Sequence, residues 1–300
     1  MFKDNDVICF LGDSITAAGL WMGEVYQLLR KKYKIKCFNC GVAGGSARKA
    51  VQYLHCECLI RNPDYVSIMF GINDINRDLY DDELEGQEDL PQKKADAIKL
   101  CISKYAEIVD EIVKSGATPI ICIPVPYDEV TVSDEKIYRC QCAMDELEIA
   151  FRALAEKYDC PVVDFKKAFM PKLGKEGIMN TDRVHPTPHG HHIMAQTFLC
   201  DLGEIDSPDY DSSFEFEDWN KKRYDAEQKL HCVNFVEYAG MFDAGWALGK
   251  TYEEKKQIAK ERYDECEDKT TFIPTAYLDY IENIDNRSRM LGEIAKLTIF

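Results

Sequence analysis

Near its N-terminus the chain runs Asp6-Val7-Ile8-Cys9-Phe10-Leu11-Gly12-Asp13-Ser14-Ile15-Thr16. An unbroken apolar run of five, cut off by Gly-Asp, predicts a short strand buried on both faces and then a turn. Trp21, Val25, Leu28 and Leu29 then recur at helical spacing and mark the buried face of a helix. The same alternation continues. Strands are predicted over 36–39, 64–70, 118–123 and 161–165, and helices over 46–60, 92–115 and 134–158. Asn62-Pro63, Gly116, and Pro124 with Pro126 supply the stops between them. Continuous apolar strands separated by helices predict a parallel sheet covered on both faces. Right-handed crossovers make this a doubly wound α/β fold, a three-layer α/β/α sandwich with a five-stranded parallel sheet. Ligands bind such sheets beyond the carboxyl ends of the strands, so the turns there are the places to look for chemistry.

Three hundred residues suffice for one large domain, or one domain with an appendage. The formal net charge of −16 opposes nucleic acid and anionic membrane surfaces as partners. Residues 1–6 are polar and partly acidic, unlike a secretory signal, and no apolar run approaches the length that crosses a bilayer. A cytoplasmic protein is expected. Its thirteen cysteines then read as reduced thiols that pack as small hydrophobes. Cys37 and Cys40 have CxxC spacing, and Cys56/Cys58 and Cys140/Cys142 are CxC pairs, but spacing alone is weak evidence for zinc or redox chemistry.

The chain divides at about residue 204. Residues 205–300 carry no strand signal, are strongly acidic, and read as helices over 216–248, 252–266 and 275–297. Residues 231–246 are rich in apolar and aromatic side chains (Val233, Phe235, Tyr238, Phe242, Trp246), which a solvated appendage does not need. Such a C-terminal α-helical extension would complete the core, form a homo-oligomer interface, or cover the site as a lid.

Four blocks fall at strand ends. In Gly12-Asp13-Ser14-Ile15, a serine at a strand-to-helix turn projects into the crevice, with its own N–H near a helix start; a plain helix cap is the alternative. Gly41-Val42-Ala43-Gly44-Gly45-Ser46 lets backbone approach a ligand closely, and the Gly44 N–H could serve an oxyanion; the alternative is a turn needing positive φ. Gly71-Ile72-Asn73-Asp74 offers an amide donor, or simply turn residues. Asp182-Arg183-Val184-His185-Pro186 puts a carboxylate three residues before a histidine, which suits a base and its orienting group. Four of the six histidines (His185, His189, His191, His192) lie within eight residues, so a metal site is the alternative; suitably spaced carboxylate or thiolate ligands are missing nearby.

In this order, the four blocks resemble the SGNH hydrolases, or GDSL-like esterases and lipases, over about residues 5–200. The resemblance implies the flavodoxin-like SGNH fold for a hydrolase domain over 1–204. It implies Ser14 as nucleophile, His185 as base and Asp182 as its orienting partner, with an oxyanion hole of the Ser14 and Gly44 N–H groups and the Asn73 amide. No cofactor and no metal is implied. GDSI stands here in place of GDSL, Gly45 follows Gly44 where a polar residue is usual, and 205–300 lie outside the resemblance. The implied activity is a serine esterase acting by two-step acyl transfer on small soluble O-acyl esters, with acetylated carbohydrates as the leading class by family analogy. A thioesterase or lipase-like hydrolase on the same residues, a non-catalytic binder and a metal-dependent phosphoesterase are the competing readings. The acidic loop 76–91 follows the third block, and Arg77 and Tyr80 on it, together with Asp13, are the candidates for substrate contact.

Overall fold

The computed structural model describes residues 1–175 and 177–214, apart from the side chains of Cys56 and Ile60. The helices predicted over 216–248, 252–266 and 275–297, and with them the interface, lid or core-completing roles, lie outside the described residues.

Five parallel strands form one sheet: β1 (Val7–Gly12), β2 (Lys36–Gly41), β3 (Tyr65–Met69), β4 (Thr118–Ile123) and β5 (Val162–Asp164), in the order β2-β1-β3-β4-β5. The register sets Gly12 beside both Gly41 and Met69. Ile8, Cys9, Phe10 and Leu11 are all buried, as an apolar run covered on both faces must be. From β1 the chain crosses to β2 on one side and then returns to β3 on the other. The two crossovers therefore diverge at the β1/β3 boundary, which opens a crevice at the strands' carboxyl ends.

One layer holds α2 (Leu20–Leu29), α6 (Phe165–Phe169) and α7 (Pro188–Asp201); the other holds α3 (Ala47–Tyr53), α4 (Leu90–Lys114) and α5 (Gln141–Tyr158). A single turn of helix, α1 (Ser14–Ala17), joins β1 to α2. On the first face Trp21 sits 5.1 Å from Phe10 and 5.5 Å from both Phe165 and Phe198, ring centre to ring centre. On the second, Tyr105 stacks on Phe151 and donates its hydroxyl to the Ile68 carbonyl at 2.9 Å, so a large buried ring keeps its polar atom satisfied.

Three boundaries differ from the sequence expectation. The helix predicted over 46–60 stops at Tyr53 and widens into a π turn, Leu54–Cys58, followed by a 3₁₀ turn, Leu59–Arg61. Residues in the wide turn thereby reach the core, where the Cys40 thiol and the Arg61 side chain both donate to the Glu57 carbonyl. The helix predicted from 134 starts at Gln141, because the backbone before it bonds elsewhere, to a buried arginine described below. Helix α7 was not anticipated. It is buried almost all round and so has no amphipathic stripe, although Thr187 caps it and Pro188 stands in its first turn. Past α7, Glu204 accepts hydrogen bonds from the terminal ammonium at 2.8 Å and the Phe2 N–H at 3.2 Å, tying the chain's start to this layer. No helix among the described residues is long and apolar enough to cross a membrane.

Candidate active site

Ser14 leaves the end of β1 where that strand meets β2 and β3. The Asp13 side chain accepts from the Ile15 N–H at 2.9 Å and so caps α1. Ser46 does the same for α3, accepting from Lys49 N–H. Ser14 is thus not spent on capping. Its Oγ lies 2.7 Å from His185 Nε2, across 171 residues of chain. The glycines around it are sterically required. A Cβ on Gly12 would come within 2.3 Å of Thr16 Oγ1, and one on Gly41 within 2.3 Å of the Ala17 nitrogen.

His185 Nδ1 lies 2.6 Å from Asp182 Oδ2. A carboxylate can only accept, so Nδ1 carries the ring proton and Nε2 is left to accept from the serine hydroxyl. The other Asp182 oxygen accepts the Val184 and His185 N–H groups at 3.0 and 2.9 Å. Partial burial pushes the Asp182 carboxyl up, but these hydrogen bonds and the neighbouring imidazole outweigh it and hold the group below the usual carboxylate range. The loop that carries both residues closes on itself. Met179 and Pro186 form an antiparallel bridge, and the Asn180 N–H donates to the His185 carbonyl at 2.8 Å.

Arg183, between Asp182 and His185, is fully buried and has φ +67°, a conformation that costs a non-glycine residue roughly 1–2 kcal/mol. Its guanidinium donates to four backbone carbonyls of the β4–α5 connector: Glu135 at 3.1 Å, Asp128 at 3.1 Å, Thr131 at 2.8 Å and Ser133 at 3.2 Å. Little in the sequence singles this residue out. Its one signal was an arginine inside the Asp-x-x-His block.

The second and third blocks meet. Asn73 Nδ2 donates to the Gly45 carbonyl at 2.8 Å, and Asp74 accepts the Ala47 N–H at 2.9 Å, so the turn after β3 grips the turn after β2. Gly44 has φ +67° and open space where a side chain would stand. Gly45 is a tighter case: a Cβ there would lie 2.7 Å from the Val42 carbonyl oxygen, which accounts for a second glycine where a polar residue was expected. Asp13 and Asp74 are buried behind this rim. Burial raises Asp13 to about 6 and Asp74 to about 7; for Asp74 the Asp13 charge adds to the rise, while the Arg48 and Ala47 N–H groups oppose it.

Arg77 and Tyr80 stand on the loop after the third block and engage its neighbours. The Arg77 guanidinium lies over the Tyr138 ring at 5.5 Å, and the Lys94 ammonium over the buried Tyr80 ring at 4.4 Å. The clustered histidines go separate ways. His189 bonds the Tyr210 carbonyl, His192 lies between Glu24 and the Asp209 carbonyl, and His191 is buried with its pKa pushed down to about 4, burial first and the His185 charge second. Among the described residues, the group with metal-ligand spacing is Cys9, Cys40 and Cys58, whose sulfurs lie within 4.8 Å of one another. Burial raises the Cys9 and Cys58 thiols well above their ordinary range, and Cys9 and Cys40 donate to backbone carbonyls, which suits neutral core thiols.

A model of the GDSL-like lipase/acylhydrolase family matches residues 10–193. An acetylxylan esterase from Geobacillus stearothermophilus is 28% identical over 222 residues, 66% of this chain and 94% of the relative. A crystal structure of an acetylxylan esterase from that organism superposes with a TM-score of 0.56 at 23% identity, over 71% of this chain and 99% of the other. A gut microbial diltiazem-metabolizing enzyme superposes with a TM-score of 0.69 at 15% identity, over 99% of this chain and 95% of the other. At such identities the structural likenesses speak to fold.

Proposed function

This chain belongs to the GDSL-like lipase/acylhydrolase family, and from that premise we propose that it is a serine esterase that hydrolyses short-chain O-acyl esters of small soluble alcohols, acetylated carbohydrates foremost. The observation that carries the reading is the chain of contacts from Ser14 Oγ to His185 Nε2, and from His185 Nδ1 to Asp182. Ester cleavage as such follows from the family. The acetylated-sugar class rests on the relative that is an acetylxylan esterase.

In the proposed reaction His185 Nε2 takes the hydroxyl proton as Ser14 Oγ adds to the ester carbonyl. Asp182 holds the ring in the tautomer that can accept, and its charge stabilises the imidazolium that forms. The negative oxygen of the tetrahedral intermediate is received by the Ser14 and Gly44 N–H groups and by Asn73. One Asn73 N–H is held by Gly45, which aims the amide and leaves its second N–H for the oxyanion. His185 then returns the proton to the departing alcohol, leaving an acyl-Ser14 ester. Water repeats the sequence, releasing the acid and restoring the serine. The hydrolase domain is read as 1–204.

Hydrolysis of a p-nitrophenyl ester series from acetate to long acyl chains, by wild type and Ser14→Ala, with and without chelator, tests the proposal. Turnover that is fastest on acetate, lost in Ser14→Ala and indifferent to chelator is expected. Turnover that survives Ser14→Ala, or that chelator abolishes, would overturn it. Release of acetate from acetylated xylooligosaccharides then tests the substrate class.

A further inference from the structure

We propose that Arg183 is a positioning residue that sets the Asp182/His185 pair by gripping the 128–135 connector, so that this strap and the base loop act as one unit. The inference rests on the serine-esterase reading for its activity arm only. Four of the five guanidinium N–H groups are used on carbonyls of 128, 131, 133 and 135, and the backbone of Arg183 adds a fifth tie, its carbonyl accepting the Asp128 N–H at 2.9 Å. A planar fork with fixed donor directions can satisfy several acceptors at once, which a lysine ammonium on a flexible stem cannot. With both ends of Arg183 held, the left-handed turn at this residue is held too. That turn lets Asp182 accept from Val184 and His185 N–H while its second oxygen meets the ring.

The chain flanking the strap is fastened as well. Lys136 pairs with Asp81, and the Tyr138 N–H donates to the Tyr127 hydroxyl at 3.2 Å. Asp128, fully buried, folds the strap's first turn by accepting from the Val130 and Thr131 N–H groups at 2.9 and 2.8 Å. The strap thus presents its carbonyls inward and its apolar side chains outward, with Val132 wholly exposed. An inward ring of carbonyl oxygens is a site for a cation, and Arg183 fills it from the base loop.

Arg183→Gly and Arg183→Lys test the proposal in the full-length chain. Glycine accepts the left-handed turn, so it removes the grip without adding backbone strain. Arg183→Gly should lose about 10- to 100-fold in kcat with KM changed less than about threefold, because ground-state binding is untouched. Millimolar guanidinium should recover several-fold of that loss in Arg183→Gly and none in wild type. Independently of any activity, amide hydrogen exchange should rise across 128–137 in Arg183→Gly and stay unchanged in β1 and β3. Arg183→Lys should fall between wild type and glycine in turnover, and it carries the comparison if the glycine variant does not fold. Wild-type turnover in Arg183→Gly, or a loss of turnover with unchanged exchange in the strap and no guanidinium recovery, would overturn the proposal. A wild type without esterase activity would instead overturn the functional reading and leave the exchange result to decide on Arg183.

Discussion

The two sides of the Ser14–His185 contact are built by different means. Ser14 is placed by short-range rules: a six-residue buried strand, an aspartate cap one residue before it, and glycines at 12 and 41 where no Cβ fits. Asp182 and His185 sit on an irregular loop held by a backbone bridge and by one buried side chain that reaches some fifty residues back along the chain. The serine inherits the rigidity of the sheet. Asp182 and His185 inherit the rigidity of a polar network whose every donor must find its acceptor. A defect in the strand and glycines that support Ser14 should therefore disturb packing, and one in the loop that supports His185 should disturb chemistry first.

Removing the groups proposed to react gives the largest expected effect. Ser14→Ala and His185→Ala should each lower kcat by about 10⁵–10⁶, and the double variant by no more, since they act as one unit. Melting temperatures within a few degrees of wild type should accompany those losses; additive losses in the double variant would show that the 2.7 Å contact is not a working one. Next comes Asp182→Asn, which keeps the shape of the side chain but offers an amide to the ring and so favours the wrong tautomer. A loss of about 10³–10⁴ in kcat is expected, and a loss under tenfold would mean that the loop alone orients His185. Asn73→Ala should follow, at about 10²–10³ in kcat with KM little changed, measured by steady-state kinetics on p-nitrophenyl acetate. Asn73 also ties the Gly45 turn, so its loss removes a donor and a tie together.

The smallest effect concerns the rim's foundations. Burial sets the folded pKa values of Asp13 and Asp74, about 6 and 7, above the ordinary carboxylate value near 4. The folded state therefore takes up protons that the unfolded chain does not hold. The resulting stabilisation is complete below about pH 4 and is lost as pH rises through 6 and 7. His191 acts in the opposite sense: held at about 4, it supports the fold above its ordinary value and loses that support as pH falls through 4. Asp74→Asn removes one of the two raised carboxyl groups. The melting temperature of Asp74→Asn minus that of wild type should grow from pH 5 to about pH 7 and level off by pH 8. A difference that stays flat would mean that Asp74 is charged in the native state throughout.

What could be read from the chain beforehand follows the same division. The five strands were legible because each is written in consecutive residues; Gly-Asp, Gly-Val and Gly-Ile mark the turns after the first three, and Pro124 with Pro126 stops the fourth. Asp182 and His185 were legible because three residues suffice to bring a carboxylate to its own histidine. Arg183 was passed over, since its acceptors are backbone carbonyls and a carbonyl has no letter in a sequence. The late start of α5 has the same cause, because helical pattern continues across 134–140 while the guanidinium holds the connector before Gln141 out of the helix. Helix α7 was hidden by its burial, which erases the amphipathic stripe, although Thr187-Pro188 announces its start. Arg77 and Tyr80 were singled out for lying next to the third block; side-chain direction, which sends them to Tyr138 and Lys94, is not a matter of sequence distance.

The placement of the thiols gives the molecule reporters of its own opening. Among the described residues Cys142 is exposed, Cys160 and Cys200 are half-buried, and Cys9, Cys37, Cys40, Cys58, Cys101, Cys122 and Cys140 are buried. A thiol reagent added to the native enzyme can reach the first of these without any opening of the fold. The buried set can react only through excursions that expose it, at a rate set by the free energy of those excursions. Since Cys9, Cys37 and Cys40 stand on β1 and β2, their modification times how often the edge of the sheet beside Ser14 comes apart, with no label introduced.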